Sequence, residues 1–64
     1  MDGRYRKNIS VGQQVSVVQK KDQRSGALTE GTVERILTNS AQHPHGIKVR
    51  LTSGIVGRVK EVKD

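Results

Sequence analysis

Ile47-Lys48-Val49-Arg50-Leu51-Thr52-Ser53-Gly54-Ile55-Val56-Gly57-Arg58-Val59 is the stretch on which the fold turns. Ile47, Val49 and Leu51 alternate with Lys48 and Arg50, so at a period of two the apolar set faces one side and the cations the other. Thr52-Ser53-Gly54 is a tight-turn signal, and it predicts that the chain reverses into 55–59 as a hairpin. Lys60-Glu61-Val62 is then expected to finish the sheet. A half-buried hairpin cannot stand alone, so the rest of the chain must supply strands that cover its apolar face.

Upstream, Val15 and Val17 fall on one face and mark a first strand, which Ile9-Ser10-Val11-Gly12 leads into by a turn. Lys20-Lys21-Asp22-Gln23-Arg24-Ser25-Gly26 is a polar cluster with a terminal glycine, and it reads as a loop between strands. Residues 29–38 carry Val33, Ile36 and Leu37 at spacings that suit a helix or a strand broken by a bulge. Gly31, Thr32 and the β-branched residues are poor helix material, which favours the strand. Residues 39–45 form a second loop in which Pro44 fixes φ and pushes His43 toward extended backbone. Residues 1–8 hold Arg4, Arg6 and Lys7 with little that can be buried, and are expected to be a flexible basic arm. Residues 9–64 are expected to be one domain. The predicted fold is all-β, a small, strongly bent SH3-like (KOW-like) barrel of about five short strands.

Composition agrees. Nine valines and four isoleucines supply most of the apolar side chains of this 64-residue chain, and both types suit a pleated surface. There is no cysteine, so no disulfide or thiolate metal site supports the core. Phe and Trp are absent and Tyr5 is the only aromatic, which removes the stacking platforms that read unpaired bases. The formal charge of +6 favours an anionic partner, nucleic acid being the commonest for a small basic domain. No apolar run follows Met1 and none approaches membrane-spanning length, so the expectation is a cytoplasmic protein without a membrane partner.

Gly12-x-x-Val15-x-Val17, followed by Gly31-x-Val33-x-x-Ile36, resembles the KOW pattern of ribosomal proteins and transcription elongation factors. That resemblance implies an SH3-like barrel that contacts RNA or protein. The chain departs from the KOW pattern in its first loop, which is longer and more polar. A closer resemblance covers nearly the whole sequence: Asp22-Gln23-Arg24-Ser25-Gly26, then the run from His43-Pro44-His45-Gly46 through Leu51, then Gly57-Arg58-Val59. These segments are similar to the YwbE-like family of small prokaryotic proteins, a resemblance that brings no known activity with it.

His43 and His45 have the spacing of a possible metal pair, but a site needs a third ligand from Asp22, Glu30, Glu34 or Glu61, and nothing in the sequence places one nearby. The structural reading is that Pro44 sets a turn ending at Gly46 while a neutral imidazole bonds the loop backbone. No metal, cofactor or small-molecule substrate is expected, and no enzymatic activity, because so small a barrel lacks volume for a water-excluding pocket. Gly54-Ile55-Val56-Gly57 matches a GxxG backbone clamp only formally, since its central residues are apolar. The cations remain. Lys48, Arg50, Arg58 and Lys60 on strands, Lys20, Lys21 and Arg24 on the first loop, and Arg4, Arg6 and Lys7 on the arm are the candidate phosphate contacts. The expected function is non-enzymatic nucleic-acid binding, RNA favoured by the resemblance. The alternative is a protein-interaction module docking on a ribosomal or transcription component by a strand edge and the histidine loop.

Overall fold

Four antiparallel strands close into a barrel in the computed structural model, which describes residues 2–63. They are β1 (Gln14–Val18), β2 (Thr29–Ile36), β3 (Lys48–Leu51) and β4 (Val56–Val62), and β1 pairs with β4 to complete the ring. The fold is therefore the expected all-β, SH3-like barrel. It has one strand fewer than expected, because 60–62 continue the strand that begins at Val56 instead of forming another. The hairpin lies where the alternation placed it. The Gly54 N–H donates to the Leu51 carbonyl at 2.9 Å, and Arg50 stands opposite Val56.

Two register shifts bend these short strands. Between β2 and β3, Val33 opposes Leu51 and Arg35 opposes Arg50, so Glu34 is the extra residue of a bulge. Between β1 and β4, Ser16 opposes Glu61 and Val17 opposes Val59, which leaves Lys60 extra. Each bulge turns the side chains beyond it relative to strict alternation.

The core is aliphatic. Seven of the nine valines are buried, with Ile9, Ile47 and Leu51, while Val11 and Val56 stay exposed. Val18 and Ser16 are buried although they alternate with the inward Val15 and Val17. Ser16 lies between Glu30 on one neighbouring strand and Glu61 on the other.

The expectation of a flexible arm is corrected at residues 2–8; Met1 and Asp64 lie outside the described residues. Asp2 bridges Glu61, Tyr5 bridges Gln42, and 6–8 form one turn of 3-10 helix. Three backbone hydrogen bonds stitch the segment to residues 41–47: Arg6 N–H to Ala41 O, His43 N–H to Arg4 O, and Ile47 N–H to Gly3 O, at 2.8 to 2.9 Å. Gly3 is the reason the segment lies so close. A Cβ there would overlap the Val59 carbonyl, and this glycine is buried. The sequence concealed this because the anchoring groups are main-chain amides and a missing side chain.

Candidate functional site

The outward face of β2, β3 and β4 collects cations in rows. Arg35, Arg50 and Val56 stand opposite one another across three strands, and Lys48 stands opposite Arg58. Residues directly opposite share a face, as do Lys48 and Arg50 two apart on β3, so four cations occupy one patch. Leu37 borders it, its N–H bonded to the Lys48 carbonyl at 2.9 Å. Lys48, Arg50 and Arg35 are exposed and Arg58 is half-buried. Arg35–Arg50 and Lys48–Arg58 are thus like-charge pairs at cross-strand positions, where repulsion costs stability.

Carboxylates relieve little of this. Glu34 reaches Arg50 at 3.4 Å, an exposed pair worth at most about 1 kcal/mol. The other ion pairs lie elsewhere: Asp2 with Arg4 at 2.7 Å, Asp22 with Lys21 at 3.8 Å, and Glu30 with Lys63. Among the described residues, Arg35, Lys48, Arg58 and Lys60 form no ion pair. Of Glu30, Glu34 and Glu61, only Glu34 is paired with a cation of the patch. Glu30 and Glu61 flank Ser16 on β1, across the barrel from β3.

Beside the cationic patch is a surface cleft of about 440 Å³, lined by Val18, Gln23, Gly26, His45, Arg58 and Lys60. The long first loop stands outside the aliphatic core and makes one wall. That loop is held in shape by a 3-10 turn at Lys20–Asp22, a Gly26 N–H to Asp22 O bond of 2.8 Å, and a Gln19 Nε2 to Thr29 Oγ1 bond of 3.0 Å. The turn at 43–46 makes the opposite wall. Lys20, Lys21 and Arg24 are exposed on the first loop but do not line the cleft. Arg4 is held by Asp2, Arg6 Nε donates to Thr38 O at 3.1 Å, and Lys7 is exposed.

The histidine turn is built as the structural reading expects. Gly46 N–H donates to His43 O at 3.0 Å with Pro44 at the second position, and His45 N–H donates to His43 Nδ1 at 3.2 Å. The rings lie 5.7 Å apart, and no group of three or more metal-ligating residues exists among the described residues. Arg58 Nη1 donates to Gly46 O at 3.3 Å, which ties the turn to β4. Partial removal from water, then the charge of Arg58 and the nearness of His45, hold the His43 imidazole below its ordinary value. Since Nδ1 accepts a bond, the neutral ring carries its proton on Nε2. A lowered folded-state value means that this stabilisation is present above the unfolded value of about 6.5 and is lost as pH falls through the folded one. The expected result of an NMR titration is a His43 midpoint below about 6.5 that rises in Arg58→Gln; a midpoint at or above that value would contradict the geometry.

Residues 2–62 match the family described as "Uncharacterized conserved protein (DUF2196)". The chain belongs to that family. This DUF2196 chain is similar to the "Uncharacterized protein YwbE" of Bacillus subtilis (strain 168), with 55% identity over 62 residues, covering 97% of this chain and 95% of that one. The YwbE-like resemblance is thereby shown over nearly the whole length. No solved structure gives a significant match to it. No helix among the described residues of the DUF2196 chain is long and apolar enough to cross a membrane.

One cation of the DUF2196 patch escaped the sequence reading. Strict alternation from the buried Val33 sends Arg35 inward with it, and only the bulge at Glu34 turns Arg35 out beside Arg50. The broken periodicity of Val33, Ile36 and Leu37 was the available signal.

Proposed function

We propose that this protein is a non-enzymatic nucleic-acid-binding module whose interface is the cationic face of β2, β3 and β4. The observation that carries the proposal is the placement of Arg35 opposite Arg50 and of Lys48 opposite Arg58. Two adjacent like-charge pairs cost the fold stability, and a polyanion repays that cost by neutralising both. Lysine and arginine side chains at strand spacing suit phosphates, and the lack of aromatic platforms points to backbone recognition without base stacking. The preference for structured RNA follows the KOW resemblance. The closed barrel gives each strand two neighbours, which leaves the strand-edge route to a protein partner without a long free edge.

The test is affinity for a 20-nucleotide RNA hairpin across a salt titration. The logarithm of affinity is expected to fall linearly with the logarithm of salt, by about 0.7 to 0.9 per phosphate neutralised. Glu34→Gln releases Arg50 and is expected to strengthen binding severalfold while steepening that slope by up to about 0.9. Affinity independent of salt, or weakened by Glu34→Gln, would remove this face from the interface.

A further inference from the structure

We propose that the cleft between the first loop and the histidine turn is a seat for a phosphate monoester, the terminal phosphate of a nucleic-acid strand, held by Arg58, Lys60 and the His45 imidazole. The proposal takes its strand from the nucleic-acid reading above and assigns the cleft a part of the ligand that an open cationic face does not select.

Three features set the cleft apart from that face. It is concave, at about 440 Å³, within the range of small-ligand sites, whereas phosphodiesters running along a sheet require no enclosure. Its lining residues include Arg58, Lys60, His45 and Gln23 with the buried Val18, and no Asp or Glu is among the described residues lining it. The donors come from three chain segments, two of which are tied to each other. Arg58 is tied to the turn through Gly46 O, Lys60 is the bulged residue of β4, and the Gly26 end of the first loop is closed onto Asp22. A bulge that re-aims one lysine commonly marks a functional rim.

The charge arithmetic favours an end over an interior phosphate. A diester carries one negative charge and two unesterified oxygens. A monoester carries about −1.5 to −2 near neutral pH and three strong acceptor oxygens. Several donor-bearing residues lining one small cleft match three oxygens, and a guanidinium fork suits two of them at once. Beside the cleft, Asp2, Arg4, Pro44, Gly46 and Val59 line a second cleft of about 220 Å³ that shares His45 and Lys60, and there Arg4 is paired with Asp2.

The experiment compares a 12-nucleotide RNA bearing a 5′-phosphate with the same RNA bearing a 5′-hydroxyl, and adds adenosine 5′-monophosphate as a third probe. The expected result is about tenfold tighter binding of the phosphorylated strand, with amide and side-chain NMR shifts at His45 and Lys60. That ratio should fall toward one in Lys60→Gln and in His45→Asn. These positions are preferred to Arg58, whose bond to Gly46 O makes it part of the fold. A ratio that survives both variants puts the terminal phosphate elsewhere and overturns the proposal. Equal binding of the two strands overturns it too, while leaving the nucleic-acid reading standing. Shifts in the cleft with adenosine 5′-monophosphate but no binding of either strand support the seat and overturn the strand. Silence with all three probes overturns both.

Discussion

Gly46→Ala is expected to destabilise the barrel by roughly 2 to 4 kcal/mol, a large share of the roughly 3 to 10 kcal/mol available to a domain of this size. Gly46 is buried with φ of 102°, a conformation that side chains rarely adopt. A Cβ there would also overlap the Val59 carbonyl oxygen, and no side-chain rotation can clear a backbone atom. The neighbouring Val59 N–H donates to Ile47 O at 2.8 Å, so relief by shifting β4 would strain a barrel hydrogen bond. Gly54→Ala is the control. Gly54 has φ of 92° but faces open space, so it should show only the conformational cost of about 1 to 2 kcal/mol. Urea unfolding followed by circular dichroism measures both. Equal losses would mean that contact with Val59 contributes nothing.

The second large effect is on binding. Replacing Lys48, Arg50 and Arg35 together by glutamine is expected to weaken RNA affinity by roughly 10² to 10³ at about 50 mM salt and to flatten the salt slope by about 2 to 3. All three are exposed, so the circular dichroism spectrum should be unchanged. A triple variant with the parental slope would move the interface off β3. Within the set, Arg35→Gln alone is informative, because its outward position depends wholly on the Glu34 bulge.

Local alternation was legible where strands are regular. Val15, Val17, Ile47, Val49, Leu51 and Val59 are all buried as their spacing requires, and Lys48 and Arg50 point out. Legibility failed where the backbone itself carries the information. Arg35 changed face through a one-residue bulge. Residues 2–8 looked unattached because nothing in their side chains advertises the main-chain bonds at Gly3, Arg4 and Arg6 or the space left by Gly3. The cleft was invisible for a related reason: Gln23, His45 and Lys60 are far apart in sequence, and only closure of β4 onto β1 brings their segments together. His43-Pro44-His45-Gly46, the most unusual run in the chain, is better understood as a clasp. It receives the N-terminal segment on one side through Arg4 O and braces β4 on the other through Arg58.

The position of Tyr5 determines what light can report about this molecule. With no Trp or Phe, it is the chain's sole intrinsic fluorophore, and it sits on the N-terminal segment at the bridge to Gln42, outside the aliphatic core. Its emission and near-ultraviolet signal therefore gauge the docking of 2–8 onto the second loop, whereas far-ultraviolet dichroism gauges the barrel. An optical melt recorded at tyrosine wavelengths alone would date the release of the strap and leave the melting of the sheet unrecorded.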